Sequence, residues 1–143
     1  MKFSSKSWLA LVFIIVFAGV YFGLRWQDNV LPSMPAEKAG LIKATSPLPN
    51  QKITSPLLIS GEARGYWFFE ASFPAKLLDE DGSQLAVMPV QAQGEWMTEN
   101  FVPFRAKLIF PKPKGKQGIL ILQKDNPSGL PEHDDELRIP VRF

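Results

Sequence analysis

The chain reads as an all-β protein, an antiparallel β-sandwich of about seven short strands preceded by a single N-terminal transmembrane helix. Three observations predict this. After Trp26 no stretch carries the apolar spacing of a helix, whereas period-two alternation recurs, most plainly in Phe104-Arg105-Ala106-Lys107-Leu108 and Leu137-Arg138-Ile139-Pro140-Val141. Turn residues separate the alternating runs at about ten- to fifteen-residue intervals, as in a sandwich of roughly 100 residues. The one long apolar run, Trp8–Leu24, is uncharged and stands apart at the N-terminus.

Residues 1–7 form a short basic leader with Lys2 and Lys6, and residues 8–25 form the predicted anchor. As a helix, the 17 residues from Trp8 to Leu24 span about 25 Å, close to the ~30 Å hydrocarbon core. Trp8, Tyr21 and Trp26 suit the two interfaces. A cleaved signal peptide is the rival reading, but the run is longer than the usual apolar region and no small-x-small site follows it. Lys2, Lys6 and the starting amine outweigh Arg25, so the positive-inside bias places the N-terminus in the cytoplasm and the C-terminal domain outside it. The expected location is therefore the cell membrane, single-pass. Residues 26–40, with Pro32, Pro35 and Gly40, read as a linker, and residues 41–143 as the folded domain.

Within the domain, Leu41–Thr45 is the candidate first strand, followed by a loop fenced by Pro47, Pro49 and Pro56. Leu57, Ile59 and Ala63 predict one strand; Trp67, Phe69, Ala71 and Phe73 predict the next. An Ala63-Arg64-Gly65-Tyr66 turn is expected to join the two as a hairpin at the centre of the core. Asp79-Glu80-Asp81-Gly82 ends that strand. Leu85–Gln93 follows, with Pro89 marking an edge or a bulge. Gly94–Asn100 is a loop, and Phe104, Ala106, Leu108 and Phe110 share one strand face. Lys112–Lys116 is a turn, and Gly118–Leu122, apolar on both faces, reads as a central strand. A polar loop from Asn126 to Asp135 precedes the final strand. The expected core is Trp67, Phe69, Phe73, Phe104, Leu108, Ile121, Ile139 and Val141.

Ser60-Gly61-x-Ala63-x-Gly65-x-Trp67-Phe68-Phe69-Glu70, introduced by Ser55-Pro56-Leu57 and followed by Leu78-x-x-x-Gly82, resembles the immunoglobulin-like domain of bacterial spore germination. Ser46-Pro47-x-Pro49-x-Gln51-x-Ile53 and Ile139-Pro140-Val141-x-Phe143 fit the same family, so the resemblance covers residues 41–143. That domain often accompanies a GerMN-type domain in cell-envelope proteins. The resemblance implies an immunoglobulin-like fold in a bacterial envelope protein; its motifs are structural.

Composition narrows the functions. Sixteen basic and 14 acidic residues leave a net charge of +2, and the near-neutral domain carries no footprint for nucleic acid. There is no cysteine, hence no disulfide and no thiolate metal site. The single histidine, His133, sits in an acidic loop without a nucleophile elbow or a second histidine, so neither a hydrolase triad nor a zinc site is expected. Asp79-Glu80-Asp81-Gly82 begins like a calcium loop, but the twelfth position is Val90 rather than glutamate. No catalytic, cofactor or metal site is therefore expected. The alternative to a non-enzymatic module is an envelope enzyme or glycan-binding module using Glu62 and Glu70 on the outer faces of neighbouring strands. Lys112, Lys114 and Lys116 make a small basic tip, read as a solvated hairpin whose lysines deter edge-to-edge pairing, with contact to anionic glycan or lipid headgroups as the alternative.

Alternating strand directions collect the turns at 63–66, 94–100 and 126–135 at one end of the sandwich, and those at 47–52, 79–83 and 112–116 at the other. The first end receives the linker and carries Tyr66, Trp96 and Met97, residue types enriched where proteins touch. It is the candidate contact surface for an envelope protein, glycan or the bilayer, with Trp96 as either contact residue or plug of the core.

Overall fold

The computed structural model describes residues 38–143. The predicted leader, transmembrane anchor and most of the linker lie outside the described residues. The described chain is all-β: β1 (Ile42–Ser46), β2 (Gln51–Lys52), β3 (Leu57–Arg64), β4 (Ser72–Asp79), β5 (Gln84–Ala92), β6 (Phe101–Leu108), β7 (Gln117–Gln123) and β8 (Glu136–Arg142). Two short 3-10 turns, Gly65–Trp67 and Pro131–His133, interrupt the loops.

Hydrogen bonding connects all eight strands in the order β1-β3-β6-β5-β4-β7-β8-β2. The β5–β6 link is narrow, with Gln91 opposite Arg105 and Ala92 opposite Phe104. There the sheet folds into two layers, β1-β3-β6 and β5-β4-β7-β8-β2. Phe73 of β4 and Phe104 of β6 meet edge-to-face across the layers, ring centres 5.1 Å apart, and Phe68 tilts against Phe73 at 5.2 Å. Both distances lie in the range aromatic pairs prefer.

The alternation read from the sequence sorts most of the strands correctly. Val102, Phe104, Ala106 and Leu108 are buried along β6, and Leu137, Ile139 and Val141 along β8. β7 lies between β4 and β8 as a central strand should. Ile121 is buried as expected, but apart from the main core cluster. The register places it between Lys76 and Arg138, long side chains whose stems can cover an apolar neighbour.

The expected hairpin does not form. β3 pairs with β1 and β6, whereas β4 pairs with β5 and β7, so the chain crosses from one layer to the other between Arg64 and Ser72. Glu70 and Ala71 adopt positive φ angles of 49° and 60°, which end the alternation before β4 begins. Trp67 and Phe68 are consequently both buried, and Phe69, predicted to lie in the core, is 41% exposed. A further departure is β2, expected as loop, which pairs in parallel with the end of β8.

Four prolines sit within strands without breaking a ladder. Pro103 and Pro140 turn their carbonyls away from their paired strand, accepting the N–H of Gln93 and of Asn50 at 2.8 and 2.7 Å, so the missing N–H also faces off that ladder. Pro74 and Pro89 stand opposite each other. The Ala92 N–H bonds to the Ala71 carbonyl, which fixes the parity of the β4–β5 ladder. Both prolines then fall in a pair that exchanges no bonds. β7 meets β4 only from Ala75 onward, and β6 meets β5 only at Gln91 and Ala92, so Pro89 lies on an edge, as its residue type predicts.

Candidate functional site

The turns gather at two ends, as the alternation of strand direction predicts. At the first end, the Gly65 N–H donates to the Asn100 carbonyl at 3.1 Å. A Cβ on Gly65 would lie 1.9 Å from the Thr98 carbonyl oxygen and 2.3 Å from that of Trp96, so only glycine lets the two loops approach this closely. The Arg64 guanidinium donates to the carbonyls of Gly40 and Glu99, at 3.0 and 3.2 Å, and lies 4.1 Å from the centre of the Phe101 ring. The third loop joins through the Asp125 N–H, which donates to the Trp67 carbonyl at 3.1 Å. Lys38 forms an ion pair with Asp135, and the Leu41 N–H bonds back to the Lys38 carbonyl. The chain therefore enters the domain at this end.

The side chains displayed there are unusually apolar for loops. Met97 is 74% exposed, Tyr66 49% and Leu130 48%, and the displaced Phe69 joins them. Trp96 is half-buried against the core, so of the three contact residues expected from sequence, Tyr66 and Met97 face outward while Trp96 closes the end of the sandwich. Phe69 and Leu130 are exposed at this end without having been expected there. Nothing local betrays Phe69, whose exposure depends on the positive-φ turn after it. Leu130, an isolated apolar residue in a polar loop between Gly129 and Pro131, was open to detection.

The remaining candidates fall elsewhere. Glu62 lies on β3 and pairs with Lys43 at 3.1 Å, while Glu70 sits in the left-handed turn before β4. β3 and β4 are not adjacent, so the two carboxylates are not on neighbouring strands as predicted. A shallow groove beside Glu62 is lined by Lys43, Ser60, Gln93 and Arg105. His133 is exposed in its 3-10 turn.

The opposite end is held by carboxylates. Asp79, at the inward end of β4, is 3% exposed. Its oxygens accept the N–H groups of Glu80 (2.8 Å), Lys114 (2.9 Å) and Gly115 (3.1 Å), and Glu80 accepts that of Lys116 (3.0 Å). The Lys114 N–H above all holds the Asp79 carboxyl below its usual range, against the opposing effect of burial. The Ser83 hydroxyl and N–H do the same for Asp81. These acids thus serve backbone donors, and the lysine turn is fastened to them. Asp135 lies at the other end of β7 from Asp79, so a cation shared between Asp79, Asp81 and the acids at 134–136 is ruled out by distance along the strand. Among the described residues, no group of three or more His, Asp or Glu converges to hold a metal ion.

The family model for the immunoglobulin-like domain of bacterial spore germination matches residues 41–129. The chain belongs to this family. No curated protein and no solved structure matches it. As a member of the immunoglobulin-like spore-germination domain family, it carries its fold beyond the matched stretch. β8 lies past residue 129, yet supplies Leu137, Ile139 and Val141 to the core and separates β7 from β2.

Proposed function

We propose that the protein is a membrane-anchored, extracytoplasmic, non-enzymatic immunoglobulin-like module that mediates contact with another component of the cell envelope through its loop end. Family membership supports the non-enzymatic module. The uncharged run Trp8–Leu24 supports the anchor, and the observation that supports the loop end as the contact surface is the coincidence of chain entry and apolar display. Lys38 and Gly40 are tied to Asp135 and Arg64 at the same end of the domain that exposes Tyr66 and Met97. With residues 8–25 as anchor and a short linker, that end is the one nearest the membrane.

Protease added to intact spheroplasts expressing the full chain tests the topology. Digestion of the domain from Gln27 onward is the expected result, and full protection until lysis overturns the reading.

A further inference from the structure

We infer that the loop end is a docking surface for a protein partner with a basic, partly apolar face, rather than for an anionic bilayer surface. This deepens the proposed function and rests on its placement of that end. The first observation is the apolar display: Tyr66, Phe69, Met97 and Leu130, on three different loops, make up four of the eight large hydrophobic side chains the described domain exposes. Scattered exposed hydrophobics need no explanation, but a concentration on loops at one end marks an interaction site.

The second is the segregation of charge. Between residues 38 and 143 there are 13 basic and 12 acidic residues. The loop end holds Glu70, Glu95, Glu99 and four carboxylates between Asp125 and Asp135, against Lys38, Arg64 and Lys124. Seven acids thus meet three bases there, while the rest of the domain carries ten bases and five acids. All three bases are engaged: Lys38 with Asp135, Arg64 with backbone carbonyls and the Phe101 ring, and Lys124 with the His133 carbonyl. The carboxylates of Glu70, Glu99 and Glu132 make no ion pair or hydrogen bond among the described residues. An apolar tip with an acidic rim is repelled by anionic headgroups and attracted by a basic surface, which steers encounter and selects partners.

A photo-crosslinking amino acid at Met97 of the full chain in intact cells tests this, with the same probe at Ile109 as control. Ile109 is 75% exposed and follows β6 at the opposite end. The expected result is a discrete protein adduct from position 97 and none from 109. Its yield should fall at least about fivefold when salt is raised enough to shorten the screening length to a few ångströms. Glu70→Gln with Glu99→Gln and Glu132→Gln should lower the yield comparably at low salt, whereas Lys112→Gln with Lys114→Gln and Lys116→Gln should leave it unchanged. Melting curves accompany both triple variants, and the salt series on the unaltered acids decides the matter if the first variant is unstable. Phospholipid adducts at position 97, a salt-insensitive protein adduct, or equal adducts from 109 each overturn the inference. Lipid adducts from a protease-accessible domain sink only this inference; protease protection sinks the proposed topology.

Discussion

The Lys114 N–H donates to the carboxylate of Asp79 at 2.9 Å, fastening the lysine turn to the inward end of β4 across 35 residues of chain. Asp79 continues the buried face of Phe73, Ala75 and Leu77, so a charge occupies the position where alternation alone would place an apolar residue. It is tolerated because three backbone N–H groups satisfy it.

This bond gives the stability a pH dependence. The native pKa values of Asp79 and Asp81 are depressed, so their contribution is fully present above the unfolded-state value of about 4 and is lost as pH falls through the lower native values. Asp79→Asn should melt at a lower temperature than the unaltered protein at neutral pH. The gap should stay constant down to about pH 5 and narrow below about pH 4. A gap that persists undiminished to pH 2 would show that ionised Asp79 is not what holds the turn.

Phe68 and Phe69 should behave oppositely despite being neighbours. Phe68 is buried against Phe73, so Phe68→Ala should cost about 3–5 kcal/mol, whereas the exposed Phe69→Ala should stay within about 0.5 kcal/mol. Chemical denaturation of both variants measures the difference, and equal losses would place the layer crossing elsewhere.

Gly65 and Gly94 separate close approach from mere presence in a turn. A methyl group at Gly65 meets two carbonyl oxygens, while one at Gly94 meets nothing within 4 Å. Gly65→Ala should cost roughly 1–3 kcal/mol by forcing the loops apart, and Gly94→Ala should be close to neutral. Comparable melting temperatures for the two variants would contradict the packing of the 65–67 turn against the 96–98 loop.

Trp96 and Met97 are neighbours at the loop end, one packed on the core and the other exposed. Trp96→Ala should destabilise the domain by roughly 1–3 kcal/mol, because its ring packs on the core, whereas Met97→Ala should leave the melting temperature unchanged. A neutral Trp96→Ala that loses the crosslinked partner would move Trp96 from plug to contact.

By itself the sequence determined which residues alternate, where turns interrupt them and which turns share an end. Phe104, Ala106 and Leu108 face inward because side-chain period two is a local property of a strand, and the two turn clusters follow from direction reversal, whichever strands pair. Tertiary structure alone decided the pairing. A short connection between antiparallel segments can close a hairpin or arch from one layer to the other; the chain from Gly65 to Ala71 arches, because burying Trp67 and Phe68 in succession and turning at Glu70 and Ala71 carries β4 into the opposite sheet. That choice exposed Phe69, separated Glu62 from Glu70 and made Phe73 meet Phe104 between the layers. The role of Asp79 was likewise illegible, since two of its three donors lie 35 and 36 residues away and only the folded sheet brings them to it.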